Sequence, residues 1–155
     1  MIALLQRVLS AHVVTRGETI ARIGEGLLVF LGVERFDADR HADRMLERVL
    51  GYRIFADREG RMNLSVTDVG GGLVLVPQFT LAADTGRGMR PSFSTAAEPA
   101  EGRRLFEYLV DRAGMQHARV EAGRFGADMQ VHLVNDGPVT FRLRVAPEGG
   151  RVSAS

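Results

Sequence analysis

The sequence predicts an α+β fold in which mostly antiparallel β-sheets form a barrel-like core with two main helices, in a single domain. Three observations favour this class. The chain has 155 residues, a length typical of one domain. It contains about eight strand-like runs, most of them next to another such run along the chain. Only two segments repeat their apolar residues with the period of an amphipathic helix.

The strands are predicted from apolar runs that lie between turn residues. Residues 1–14 and 19–23 form the first pair, and the turn between them contains Arg16, Gly17 and Glu18. Residues 24–34 and 71–81 are continuously apolar, which is typical of strands buried on both faces. The other strand-like runs are residues 52–55, 118–125, 128–134 and 139–145.

Two helices are predicted, at residues 37–51 and 98–114, because their apolar residues recur at spacings of three and four. Asp37 or Asp39 can cap the first helix, and Gly51 suits its end. Residues 82–95 have the composition of a loop. We expect a domain at residues 1–145, followed by a polar tail at residues 146–155.

Composition excludes several kinds of chemistry. The chain has no cysteine, which rules out disulfides, thiolate catalysis and cysteine-ligated zinc. Every basic side chain apart from histidine is arginine, so lysine Schiff bases and a phosphate-loop lysine are also excluded. None of the four histidines has a partner at metal-ligand spacing. We therefore expect neither a metal nor another cofactor, and backbone groups or the substrate must supply much of any chemistry.

Charge and hydropathy bear on partners and location. The formal net charge is +1, so no overall field attracts nucleic acid. The longest apolar runs are far shorter than a membrane span, and the first residues carry no targeting pattern. The expectation is a cytoplasmic protein without a membrane partner.

The first segment of functional interest is PQFTL, residues 77–81, which ends a buried strand. Its polar side chains, Gln78 and Thr80, lie where sheets often place ligands. The alternative is that these side chains bond only to the adjoining loop.

The second segment is LVNDGPVTFRLRV, residues 133–145. Asp136-Gly137 between two strand-like runs is a strong hairpin signal, yet Pro138 has no N–H for a strand partner. One explanation is a hairpin whose proline lies at a strand start or edge. The other is a cis Gly137-Pro138 bond, which would turn two carbonyls to one side as rigid acceptors for an ammonium group.

Taken with MIALLQRV and RVLGYRIF, the segments VPQFTLAADTGRGMRPSFS and MQVHLVNDGPVTF closely resemble bacterial D-aminoacyl-tRNA deacylases. The resemblance covers residues 1 to about 145. It implies hydrolysis of the ester between a D-amino acid, or glycine, and tRNA, with L-aminoacyl-tRNA spared. It also implies a homodimer whose active sites lie at the subunit interface, with tRNA as partner and no cofactor.

The resemblance further implies a role for each site residue. The Gly137-Pro138 carbonyls of one subunit would meet the substrate ammonium in the other subunit, and Arg7 would brace them. N–H groups near Phe79 and Thr80 would stabilise the oxyanion, and Gln78 would order the pocket. Thr80 is either a nucleophile or, as we favour, a positioning group, because no adjacent base is visible. The implied catalytic residues are Gln78, Phe79 and Thr80, and the implied substrate-binding residues are Arg7, Pro77, Asn135, Gly137, Pro138, Val139 and Thr140.

One residue departs from the family pattern. Pro77 stands where the resembling sequences usually have serine, so a hydroxyl and an N–H are missing. Two other functions therefore stay open: a nucleic-acid-binding module without catalysis, and a dimeric scaffold without a ligand. Arg87, Arg90 and Arg124 either contact acceptor-stem phosphates or make structural hydrogen bonds within their loops.

Overall fold

The protein is described by a computed structural model for residues 1–146. The predicted tail, apart from Ala146, lies outside the described residues. Within them the chain forms eight strands, three helices and one 3₁₀ turn. In chain order these are β1 Ile2–Thr15, β2 Glu18–Ile23, β3 Gly26–Gly32, α1 Asp39–Gly51, β4 Phe55–Ala56, β5 Met62–Leu64, α2 Val66–Val69, β6 Gly72–Pro77, the 3₁₀ turn Phe79–Ala82, α3 Pro99–Gln116, β7 Val120–Ala122 and β8 Gln130–Arg144.

A long first strand organises the main sheet. Strand β1 pairs antiparallel with β8 along one edge, and with β3 and then β2 along the other edge. Beyond β3 the sheet continues through β6 and β7, and both of these pairings are parallel. A separate antiparallel pair joins β4 to β5. The result is a nearly closed mixed sheet in which antiparallel pairings predominate, which confirms the predicted α+β class.

Apolar side chains fill both faces of this sheet. On one face, β1, β3 and β6 contribute Leu5, Leu27 and Leu75, which are fully buried against α1 and α3. On the other face, Val13, Leu28 and Val74 form a second buried cluster. Because burying a leucine or valine side chain contributes about 1.5–3 kcal/mol, these clusters fix the strand register. Both predicted helices are present, and their buried residues include Met45, Leu46, Val49, Leu105, Phe106 and Leu109.

Three local predictions are wrong. The strand predicted at residues 71–81 ends at Pro77, because the chain turns into a 3₁₀ conformation from Phe79. The strand predicted at residues 52–55 keeps only Phe55, which pairs with the short β5. Neither aspartate caps α1, whose N-cap is Ala38; Asp37 is buried and accepts from the Met1 amino group at 2.8 Å.

The predicted hairpin at Asp136-Gly137 is also wrong. Both flanking runs belong to β8 and pair with the same edge of β1, Asn135 with Val8 and Thr140 with Gln6. One residue of β1, Arg7, therefore lies opposite four residues of β8. Residues 136–139 form a four-residue bulge instead of a turn, because the apolar runs on both sides of them pair with the same strand, β1.

None of the helices in residues 1–146 combines the length and apolar character needed to cross a membrane.

Candidate functional site

Pro77 occupies a strand position at which its missing N–H breaks no pairing with β7. Along β6 the N–H groups alternate in direction: Gly72 and Gln78 donate towards β3, to Glu25 O at 2.9 Å and Leu31 O at 2.7 Å. Leu73 donates the other way, towards β7. Residue 77 faces the β7 side, and the ladder with β7 ends at Leu75. The fold therefore accommodates proline where the family pattern has serine.

After Pro77 the chain makes a tight turn that exposes Phe79 and Thr80. Leu81 N donates to Gln78 O and Ala83 N to Thr80 O, each at 3.2 Å. Within residues 1–146 no backbone carbonyl accepts from the N–H of Phe79 or Thr80. These are the first N–H groups of a helical turn, which have no acceptor within the turn itself. Two exposed donors thus follow the end of a buried strand.

The side chains of Gln78 and Thr80 are joined to each other. The Gln78 amide Nε2 donates a hydrogen bond to Thr80 Oγ1. An amide donor cannot remove a proton from a hydroxyl, so this contact orients Thr80 without activating it as a nucleophile. The Thr80 proton stays available for donation to another group.

Phe79 is exposed over 57% of its surface, yet its ring has a defined neighbour. Its centroid lies 5.0 Å from that of Phe93, and the rings are tilted by 53°. The loop that carries Phe93 is tied back to the turn by Thr95 Oγ1, which donates to Ala82 O. The ring contact and the loop anchor restrict the orientation of Phe79.

The second group of predicted site residues forms the bulge of β8. Asn135 closes it: its Nδ2 donates to Arg7 O and to Val139 O, both at 3.0 Å. These bonds span the interruption between the paired Asn135 and the paired Thr140. Thr140 Oγ1 also accepts from Gln6 Nε2 at 3.2 Å. The bulge is therefore held by side-chain hydrogen bonds on both sides.

At the exposed tip of the bulge, the Gly137-Pro138 peptide bond is cis. Gly137 has a φ of +124°, a conformation that residues with side chains rarely adopt. A Cβ on Gly137 would lie 2.7 Å from Val139 Cγ2 and 3.2 Å from Arg7 Nη2. The tip thus presents main chain to solvent, and its inner side is tightly packed.

Arg7 anchors the bulge from below. Its Nη1 donates to Ile54 O at 2.7 Å, and its Nε lies 2.9 Å from Asp136 Oδ2. The Asp136 contact is an ion pair and not an aligned hydrogen bond. Nε is buried and has no hydrogen-bond acceptor within the described chain. The guanidinium consequently links the chain preceding β4 to the bulge.

The predicted residues fall into two separate groups. One group lies at the end of β6 and the other in and around the bulge. Among residues 1–146, no hydrogen bond, ion pair or ring contact connects a residue of one group with a residue of the other. Sequence reasoning missed Asp136 and Phe93 as contacts of the site. The charge of Asp136 beside Gly137 was a usable signal, whereas Phe93 lies in a loop without periodicity. No group of three or more histidine or carboxylate side chains in residues 1–146 is placed to hold a metal ion.

Comparison with known proteins identifies close relatives over nearly the whole chain. The sequence profile described as D-Tyr-tRNA(Tyr) deacylase matches residues 4–144. The D-aminoacyl-tRNA deacylase of Pseudomonas putida strain F1 is 61% identical over 145 residues, which is 94% of this chain and 100% of that protein. The D-aminoacyl-tRNA deacylase of Nitrosococcus oceani is 60% identical over 147 residues, covering 95% of each.

Solved structures share the fold. A structure titled "c-Myc DNA Unwinding Element Binding Protein" superposes with a TM-score of 0.90 at 34% identity, covering 94% of this chain and 99% of that chain. A structure titled "Structural Analysis of a probable eukaryotic D-amino acid tRNA deacylase" gives a TM-score of 0.77 at 17% identity, with coverage of 92% and 97%, a likeness of fold alone. Because the family profile matches residues 4–144 and the architecture is shared, the chain belongs to the D-Tyr-tRNA(Tyr) deacylase family.

Proposed function

We propose that this protein hydrolyses the ester of D-aminoacyl-tRNA and releases the free D-amino acid and tRNA. Family membership and the names of the relatives support the reaction class. The observation that carries the proposal is the bulge at residues 136–139, in which an exposed main-chain tip is fixed by Arg7 and Asn135. Such a tip suits the discrimination of mirror-image substrates, because main chain cannot rotate away from a clash as a side chain can.

The proposed filter is composite. Two protomers associate, and the Gly137-Pro138 tip of one lies against residues 77–80 of the other. Its carbonyls accept from the α-ammonium of the substrate, which leaves space for a hydrogen or an outward D side chain. An L side chain would meet the main chain. Within residues 1–146 no hydrogen bond, ion pair or ring contact joins the two residue groups, which fits a site shared between two protomers.

The chemistry requires few protein groups, since an aminoacyl ester is already activated. The N–H groups of Phe79 and Thr80 stabilise the tetrahedral oxyanion, and one such donor typically contributes about 2.7–4 kcal/mol. Gln78 orients Thr80, which positions the substrate. The neighbouring ribose hydroxyl assists the attacking water, so no metal or cofactor takes part.

The filter rejects a side chain in the L orientation, but it cannot reject an amino acid that has no side chain. Glycyl-tRNA is therefore a second substrate under this proposal. The range of D-amino acids is broad, because their side chains point away from the tip. Such proofreading belongs in the cytoplasm, where the tRNA substrate is made.

A second candidate function is nucleic-acid binding without catalysis. The protein of the structure at 34% identity is named as a DNA-unwinding-element binding protein, and Pro77 removes a hydroxyl from the motif. Under this alternative the protein would bind tRNA and leave its ester intact.

The deciding experiment incubates the purified protein with D-Tyr-tRNA and L-Tyr-tRNA and follows release of tyrosine. We expect release from the D substrate alone. Binding without release favours the second candidate, and neither binding nor release contradicts both.

Two glycine-to-alanine variants, one at the tip and one as a control, test the filter itself. Gly137→Ala places a Cβ 2.7 Å from Val139 Cγ2, so the tip must move and discrimination should fall by about tenfold or more. Gly60→Ala is the matched control: Gly60 also has a positive φ, +78°, but nothing lies within 4 Å of its Cβ position. If the ratio of D to L hydrolysis is the same in Gly137→Ala as in the control, the tip is not the filter.

A further inference from the structure

Three basic side chains lie side by side across three neighbouring strands, on the strand faces opposite to the buried Ala11 and Val13 of the second apolar cluster. His12 in β1 pairs directly with Arg22 in β2 and with His132 in β8. The two imidazole rings are stacked, with centroids 4.3 Å apart and planes within 4° of parallel. His132 and Arg22 are exposed, and His12 is partly exposed. We call Arg22, His12 and His132 the basic ladder.

The ladder has no acidic partner on its own strands. The residues of β1 and β8 that flank it on the same face are Ser10, Val14, Gln130 and Val134, all uncharged. Within residues 1–146 no carboxylate forms an ion pair with any ladder residue, whereas Arg44, Arg104 and Arg144 are each paired with carboxylates. At neutral pH the ladder therefore carries the charge of Arg22, and protonation of its two histidines would add positive charge to a chain whose net charge is only +1 with histidine neutral.

A groove of about 730 Å³ is lined by Arg22 itself and by three other charged residues, Arg119, Glu25 and Glu121, so two positive and two negative side chains face it. This balance gives the groove no preference for an anion. The two histidines of the ladder are not part of this lining, and no carboxylate of residues 1–146 forms an ion pair with them.

Protonation of the stacked pair depends on what lies against it. Loss of solvent, followed by the charges of His132 and Arg22, lowers the pKa of His12 below its usual 6.5. Two adjacent imidazolium rings repel each other, and an anion bound against both rings offsets that repulsion. A phosphate group in that position would favour the protonated forms, so its binding and proton uptake are linked.

We propose that the basic ladder binds a phosphodiester of the tRNA backbone, outside the candidate active site, with uptake of protons by the histidine pair. The identity of the RNA rests on the proposed function, while the ladder's charge and geometry do not. Arginine matches phosphate geometry through its planar fork, and imidazolium supplies two further donors. With no overall field to hold tRNA, affinity must come from local clusters of this kind.

The test measures the affinity for uncharged tRNA by fluorescence anisotropy at constant salt between pH 8 and pH 6. We expect the affinity of the unaltered protein to rise about fivefold or more as the pH falls, as charge-assisted contacts form. His12→Asn/His132→Asn should lose most of this rise and have a smaller salt slope at pH 6. Arg58→Gln, in the exposed turn between β4 and β5, is the control for loss of one positive charge and should keep the rise.

An equal rise in the double variant and the unaltered protein would overturn the proposal, as would the absence of a rise in both. Should the double variant fail to fold, histidine pKa values of the unaltered protein are measured by NMR with and without uncharged tRNA. Higher values in the complex support the ladder contact, and unchanged values refute it. Because uncharged tRNA has no aminoacyl ester, these results are independent of whether the protein hydrolyses D-aminoacyl-tRNA.

Discussion

Asn135 supplies the two hydrogen bonds that the bulge takes away from the strand ladder. Its amide group donates to Arg7 O and Val139 O, both at 3.0 Å. Asparagine suits this position because a single Nδ2 carries two N–H groups, one for each carbonyl. A carboxylate of the same shape would place an acceptor against two acceptors.

We therefore expect Asn135→Ala to lower the free energy of unfolding by about 1–3 kcal/mol, the cost of leaving two part-buried acceptors unpaired. Asn135→Asp should be worse at neutral pH and recover partly in acid, where its protonated form donates again. Urea unfolding measures both. Asn63→Ala, which removes an exposed amide that donates to Asp57 Oδ2, should change stability by less than about 0.5 kcal/mol. Equal losses at positions 135 and 63 would show that the bulge does not depend on the amide.

Thr80 has a hydroxyl in the candidate active site, and its side-chain partner is the donor Gln78 Nε2. Removing a positioning hydroxyl costs one hydrogen bond, so Thr80→Val should lower kcat by about three- to tenfold. Removing a nucleophile would abolish turnover. Steady-state hydrolysis of D-Tyr-tRNA distinguishes the two roles, and Thr85→Val in the following loop is the control. A loss beyond a thousandfold, or an acyl-enzyme trapped by acid quench, would assign Thr80 as the nucleophile.

At the scale of secondary-structure elements, long periodic segments were predictable and short or interrupted ones were not. Helices α1 and α3 bury one face each, so their sequences carry the helical period. Helix α2 has four residues and β4 has two, too few for any period to be visible. The 3₁₀ turn after Pro77 follows a buried apolar run, and nothing in its composition separates it from the strand.

The bulge of β8 shows a different limit. Asp136-Gly137 is a hairpin signal because it allows a tight turn, but the local sequence does not say whether the flanking runs pair with each other. The apolar residues of β1 extend far enough to pair with both runs, and that long-range pairing decided the outcome. Resemblance pointed to Arg7 and Gly137-Pro138 as site residues. Their mutual contacts, including the Arg7–Asp136 ion pair, depend on β1 and β8 lying side by side, which no local pattern specifies.

At the scale of the whole molecule, a buried charge cluster joins the two ends of the described chain. The Met1 amino group donates to Glu34 Oε2 at 2.9 Å, to Asp37 Oδ1 at 2.8 Å and to Val145 O at 2.7 Å. Arg144 donates to the Glu34 carboxylate at 2.7 Å through Nη2. These contacts tie β1, the end of β8 and the segment before α1 together.

The cluster predicts how stability changes in acid. Burial raises the pKa of Glu34, but hydrogen bonds from Arg144 and Met1 outweigh it and leave that pKa below its ordinary 4.5. Stabilisation by Glu34 is therefore complete above pH 4.5 and lost as the pH falls through the lowered value. Burial raises the pKa of Asp37, so protonation of Asp37 as the pH falls increases the stability of the fold, whereas protonation of Glu34 decreases it.

Glu34→Gln isolates the first effect. It should lower the free energy of unfolding by about 1–3 kcal/mol at pH 7, and the difference from the unaltered protein should shrink below pH 4. Urea unfolding from pH 7 to pH 3 measures this convergence. Glu107→Gln, which breaks an exposed pair with Arg103, is the control and should cost less than about 0.5 kcal/mol. A difference that stays constant with pH would mean that the Glu34 charge does not contribute.

The proposed composite site predicts a result that a site built within one protomer does not. Gly137→Val disables the tip, and Thr80→Pro removes from the turn both the hydroxyl and an N–H that no backbone carbonyl of residues 1–146 accepts from. If tip and turn come from different protomers, a heterodimer of these two variants contains one intact site and one doubly damaged site. It should hydrolyse D-Tyr-tRNA at about half the rate of the unaltered dimer. If each protomer builds its own site, both sites are damaged and the rate falls to that of the homodimeric variants.

The reciprocal heterodimer reverses the expectation. With both substitutions in one protomer and none in its partner, sharing across the interface damages both sites, whereas independent protomers keep one intact site and half the rate. Co-expression with two affinity tags isolates each heterodimer, and light scattering establishes its mass before the assay. Activity in the first heterodimer together with inactivity in the second can arise only when the tip of one protomer serves the turn of the other. The opposite pair of results would place the filter and the chemistry within one chain.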